Sequence, residues 1–194
     1  WESSHVVARG SSHVEAWESS HVEAWGSSHV VARGNVFLRL FSALKITASA
    51  SVVILMHGTA KAITGGNQII AAEPKTPAEW CEHNGVKVEK DRAIVYKGVN
   101  ADFVSPKKAV YKPSTETTAP DWDGGAAECG GGLHFSPTAA ATKEFNLEAT
   151  HFVACSVKLT DMREPHKDDH YPNKCKAKSC ENLYQVDLYG ERVK

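Results

Sequence analysis

The chain lacks a long apolar run, an excess of either charge, and a matched set of cysteines. Its longest apolar stretch, Ile46 to Met56, is about half of the roughly 20 residues a spanning helix needs. Ser and Thr interrupt it, and Lys45 and His57 flank it. This excludes a membrane-spanning helix, and no membrane partner is expected. The formal net charge of -1 gives nucleic acid or an anionic lipid surface no bulk attraction, so neither is expected as a partner. The five cysteines (Cys81, Cys129, Cys155, Cys175, Cys180) are an odd number without paired spacing. That argues against a full disulfide framework and leaves one or two bridges open. An initiating Met and a cleavable signal pattern are also missing, because Trp1 begins inside a repeat. The expectation is a cut N-terminus or a longer array seen in part.

What is present is a repeat. In 194 residues, of which 42% are apolar and 23% charged, composition is that of a globular chain with room for one modest or two small domains. Locally it is far from average. From Trp1 the chain reads WESSHVVA, RGSSHVEA, WESSHVEA and WGSSHVVA, then RGNVFLRL, FSALKITA, SASVVILM, HGTAKAIT and GGNQIIAA. The sequence implies a period of eight, without insertion, through Ala72.

Eight residues do not fit a straight helix of 3.6 residues per turn, and Gly recurs at the second position. They fit one strand of about six residues and a two-residue corner. Alternation puts the fourth, sixth and eighth positions on one face: Ser, Val, Ala in the early units, then Val36, Leu38, Leu40, then Leu44, Ile46, Ala48, then Val52, Ile54, Met56. One strand cannot bury a face alone, so the units are expected to stack as a parallel β-solenoid. Two units per coil are preferred to a triangular three, which such small side chains would under-fill. Trp1, Trp17, Trp25, Arg9 and Arg33 fall at corners. The first coil would leave its backbone edge open, which predicts self-association into a rod, homo-oligomer or filament. Units from Val36 onward are apolar on both faces and should be covered, with the C-terminal domain as the expected cover.

Ser-Ser-His recurs at His5, His13, His21 and His29. In a two-unit coil His5 stacks on His21 and His13 on His29, giving either a metal-binding imidazole ladder or a solvated polar column. Glu15 and Glu23 alternate with Val7 and Val31, so like charges do not lie over one another. A Ser-His hydrolase is not supported, because no carboxylate orients the imidazoles consistently.

EPKTP at residues 73–77 marks a boundary, giving a repeat unit over 1–72 and an α+β domain over 73–194. Thr76 caps a helix over Pro77 to His83, which Asn84-Gly85 ends. A hairpin follows over 86–99, then a Pro/Ser/Thr loop to Pro120 and a short strand, Leu133 to Phe135. A helix over 138–145 and strands over 152–159 and 182–188 complete a small mixed sheet.

YKGV (Tyr96 to Val99), CGGGLHFSP (Cys129 to Pro137) and an alternating terminal strand, together with the octads, resemble an uncharacterised domain family of bacteria and actinobacterial bacteriophages. Its phage members carry arrays of SS-x-V-x-A octads. The resemblance spans nearly the whole chain and implies a phage or prophage origin, not an activity. It places the protein in a phage particle or the bacterial cytoplasm, with an extracellular fibre also open.

Tyr96-Lys97-Gly98 with Gly132-Leu133-His134-Phe135-Ser136 is also similar to the spaced motifs with which ADP-ribosyltransferases hold NAD. That similarity implies Tyr96, Lys97, His134 and a late acid, Glu181 or Asp187, in one pocket, with Gly130, Gly131 and Gly132 against the cofactor. The alternative is that the glycines only make a tight turn and His134 is structural. A zinc site is a further candidate, from Cys129, His134, His166, His170, Cys175 and Cys180. The alternative there is a loop whose cysteines are bridged or free. Asp121 and Asp123 lack the later ligands of a calcium loop, since Gly132 stands at its twelfth position. The leading expectation is a structural solenoid protein that needs no cofactor. An NAD- or nucleotide-binding enzyme domain on a solenoid spacer is the alternative.

Overall fold

The computed structural model describes residues 4–166 and 168–193 of the chain, so the corner predicted for Trp1 lies outside the described residues. Two compact units meet in sequence at Ala72 and Glu73.

In the first unit β1 (His5–Ala8) and β2 (His13–Trp17) form one coil, and β3 (His21–Ala24) and β4 (His29–Arg33) the next. β5 (Phe37–Ala48) and β6 (Val53–Thr64) each run through a whole coil, and β7 (Asn67–Ile70) opens a fifth. All pairing is parallel. His5 pairs with His21, His13 with His29, His21 with Phe37 and His29 with Lys45. Each offset is 16 residues (21 − 5, for example), so a coil spans sixteen residues and the unit is a β-solenoid. Its interior holds Val22, Ala24, Val30, Ala32, Leu38, Leu40, Ile46 and Ile54, all 1% exposed or less. Ser20 and Ser28 are buried beneath them.

The even period fails near the end of the solenoid. Phe37 to Leu40 pair sixteen residues on with Val53 to Met56, but Ser42 pairs with Thr59, an offset of 17, after a bulge. A Cβ on Gly58 would lie 1.9 Å from the Phe41 carbonyl oxygen, so the inserted residue slips past only because it has no side chain. Val53 then pairs with Asn67, an offset of 14, because the tight Gly65-Gly66 corner shortens the last coil. The slip also changes which side chains face inward. Ala43 is buried where Leu44 was expected, Leu44 is half-buried, and Ala48 and Met56 sit at the margin of the core. Phe37, Val53 and Leu55 on the outer face are half-buried. In β7, however, Ile69 is 51% and Ile70 84% exposed.

Corners fix the second position of the octad in the left-handed region: Gly10, Gly26 and Gly34 have φ of 62°, 73° and 80°. Glu18, with φ 56°, occupies the same place without glycine's freedom. Outside the corners, columns of large side chains stack coil on coil. Trp25 lies on Phe41 at 3.8 Å and Phe41 on His57 at 4.9 Å between ring centroids, while the Arg33 guanidinium covers Trp17 at 4.5 Å.

The second unit is antiparallel. After α1 (Pro77–His83), capped by Thr76 Oγ1 accepting from Glu79 N at 3.2 Å, come β8 (Val88–Glu89) and β9 (Arg92–Val99) as a hairpin. Next are β10 (Thr115–Thr118), β11 (Leu133–Phe135), β12 (His151–Lys158), β13 (Cys175–Ala177) and β14 (Ser179–Val186). They make a five-stranded sheet in the order β10-β14-β12-β9-β8 and a separate β11-β13 pair. The expected mixed sheet is therefore wholly antiparallel. Two strands, β10 and β13, lie in segments that read as loop. The helix expected over 138–145 is a 3-10 helix, Ala140–Glu144. A segment this short between Pro137 and Phe145 presents too narrow an apolar face to hold α-helical turns.

Replacing Glu18 by Gly removes the left-handed penalty and should stabilise the solenoid by about 1 kcal/mol. Gly34→Ala should destabilise it by a similar amount, its Cβ meeting Glu18 N at 3.0 Å. Thermal unfolding of both variants checks the pair.

Candidate functional site

Strand β9 builds the most unusual environment in the chain. Ala93, Val95 and Val99 are fully buried on one of its faces, and alternation puts Lys97 on that same face. A lysine thus stands where the pattern calls for an apolar side chain. It is half-buried, and its Nζ donates to the His134 carbonyl oxygen at 2.7 Å. The ammonium lies 5.2 Å from the Tyr111 ring centroid and 5.9 Å from that of Phe135. It forms no ion pair with any described carboxylate. Desolvation lowers its pKa from 10.5 to about 8.

These groups border a cavity of about 1080 Å³ within the second unit. Tyr96, Lys97, Gly130, Gly131, Gly132 and His134, separated in the sequence, all reach its wall. The Tyr96 ring does not serve it: neighbours on a strand point to opposite faces, and Tyr96 packs with Ile94 and Tyr184 against Phe152 and Val186. His134 is a neutral imidazole. Burial lowers its pKa to about 4, with the Lys97 and Lys174 charges adding to the effect. Its ring bonds to the Glu128 backbone, and its Nε2 is buried without a partner.

The glycine loop is stapled from below. Buried Lys176 holds both Asp123 oxygens, at 2.6 and 2.7 Å, and the Ala127 carbonyl at 2.9 Å. Asp121 Oδ1 accepts from Gly132 N at 3.1 Å. Any Cβ on Gly131 would meet the Asp121 carbonyl oxygen at 1.7 Å, so the run of glycine serves loop packing as well as bordering the cavity. Asp123, tied to Lys176, is held below the usual carboxylate range.

The late acids are elsewhere. Glu181 on β14 pairs with Arg92 Nη2 at 3.0 Å, and Asp187 accepts from Tyr189 and Glu191 N–H groups in the terminal turn. Neither borders the cavity; Glu116 and Asp121 are the carboxylates that do. The zinc candidates are dispersed. His166 and His170 are exposed beside Asp168 and Glu128, whereas Cys175 and Cys180 are buried thiols. Cys129 is an exposed thiol, 3.0 Å from Lys174 Nζ. In the solenoid the His13 and His29 rings are 6.4 Å apart, but Phe37 follows His21 and Lys45 follows His29 in their columns. No group of three or more potential metal ligands occurs among the described residues.

Lys107, Lys108, Tyr111 and Lys174 also border the cavity, and sequence reasoning missed them. The signal for Lys97 itself was stronger than the motif match that flagged it, since a lysine interrupts Ala93-Val95-x-Val99 on a buried face. No protein family, curated protein or solved structure compared with the chain matches it.

Removing the Lys97 charge should stabilise the fold. Between pH 8 and 10.5 the unfolded chain keeps a proton that folded Lys97 has released, so native stability rises with pH across that window. Lys97→Met should therefore be about 2 kcal/mol more stable than the parent at pH 7, with the gap closing toward pH 10.5. Cys155, Cys175, Cys180 and Lys174 face Lys97, and unfolding of both proteins at several pH values measures the difference.

Proposed function

We propose that the chain is a structural protein of phage or prophage type, a self-associating β-solenoid shaft with an α+β unit as its C-terminal cap. The observation that carries this reading is the sixteen-residue register, which lays backbone ladders and like side chains over one another through successive coils. Among the described residues β1 and β2 are paired on one side only, so a coil of another copy can extend the ladder. Hydrogen bonds of about 1 kcal/mol each, repeated along every rung, together with buried Val and Ala columns, supply the cohesion.

The register names a specific blocking variant. The Ser4 and Ala8 carbonyls accept from His21 and Trp25 N–H groups, both at 2.8 Å. Alternation therefore aims Val7 N–H away from β3. Val7→Pro removes an outward donor and leaves the β1–β3 pairing intact. The parent should form long particles in electron micrographs with a reflection at about 4.8 Å along the rod, and Val7→Pro should give short ones. Compact parent monomers, or rods unaffected by the proline, would overturn the reading.

A second reading is favoured by one observation: Lys97, His134 and Gly130 to Gly132 border a single cavity. In it the second unit binds NAD or another nucleotide, and the solenoid is a spacer. NAD at a hundredfold excess over its Kd should then stabilise the protein by about 2.7 kcal/mol, and His134→Ala should abolish the shift. A melting temperature indifferent to NAD and other nucleotides would remove this reading.

A further inference from the structure

Two polar groups on the wall of one cavity lack what burial normally demands. Lys97 has a single hydrogen bond, to the His134 carbonyl, and no counter-ion among the described residues. His134 Nε2 is buried with no partner. An ammonium without a carboxylate, set against two aromatic rings on a strand face otherwise filled by Ala and Val, is a destabilising choice for structure alone. The same cavity is bordered by Lys107, Lys108 and Lys174 as well, against Glu116 and Asp121. Four lysines and two carboxylates leave it net positive.

We propose that Lys97 is the amine of a carbonyl-capturing site, which takes a small aldehyde or ketone bearing an acidic group and holds it as an imine. The unprotonated Nζ adds its lone pair to the carbonyl carbon. The nitrogen's proton passes to the carbonyl oxygen to give a carbinolamine. Loss of one water then leaves the C=N bond, with nothing oxidised or reduced. The His134 carbonyl holds Nζ in place, the flanking rings keep the amine partly dry, and the neighbouring lysines attract the acidic group. Desolvated lysines are the usual amines of such chemistry because more of the neutral form exists near pH 7. The proposal is independent of the nucleotide reading, since imine formation requires no nucleotide.

Glyoxylate is a suitable probe, used on the full chain at neutral pH with cyanoborohydride, which reduces an imine to a stable secondary amine. Peptide mass mapping should find the first carboxymethyl group per chain on Lys97, at a rate on the order of tenfold above any surface lysine. The preference should vanish in denaturant, and Lys97→Met should lose this first fast adduct. Even if that variant fails to fold, the map of the native protein decides. Labelling spread evenly over the surface lysines, or a Lys97 that stays unmodified while they react, would overturn the assignment.

Discussion

Strands laid directly over one another impose one demand on the solenoid: each inward side chain must share its column with its neighbours in the adjoining coils, sixteen places along through the regular coils. The demand explains the composition. Val22, Leu38 and Ile54 form one such column and Ala24, Leu40 and Met56 another, with small side chains in the early coils and larger ones in the later. It also explains the outer surface, where Trp25, Phe41 and His57 stack as a continuous pile. Glu23 meets Arg39 at 3.4 Å in the column where a second glutamate would have repelled it. The first four corners complete the arrangement, each turning on one left-handed residue, Gly10, Glu18, Gly26 or Gly34.

The stacking of parallel strands was legible because Ser-Ser-His-Val stands four times at equal spacing in the sequence. The breakdown of that spacing was not. HGTAKAIT looks like one more octad, with Gly58 at the second position where Gly10, Gly26 and Gly34 make corners. In the structure Gly58 does something else: it admits an extra residue beside the Phe41 carbonyl. One residue type met two different steric needs, and periodicity alone does not separate them. In the second unit, the capped helix and the Leu133–Phe135 strand announced themselves through local chemistry. β10 did not, because Thr115–Thr118 is a polar edge strand with only Thr117 buried, and its identity comes from pairing with a strand more than sixty residues away.

The candidate site divides along the same line. Lys97, His134 and the three glycines were visible because they lie in short stretches of unusual composition. Tyr111 and Lys174 were not, since only the folded sheet brings them to the cavity wall. Tyr96 borders the cavity too, but strand alternation turns its ring to the face opposite Lys97, against Phe152 and Val186. The late acids lie away from the cavity wall: Glu181 is engaged by Arg92 across the sheet, and Asp187 ties a turn.

The last turn, fourteen residues from Val53 to Asn67 against sixteen in the first coils, makes the two ends of the solenoid unlike. A sixteen-residue coil laid on the β1 and β2 end continues its columns, but one laid on a fourteen-residue turn falls out of step at the first corner. A coil of the regular length would therefore find one end congruent and the other not, a directional difference written into the backbone spacing alone.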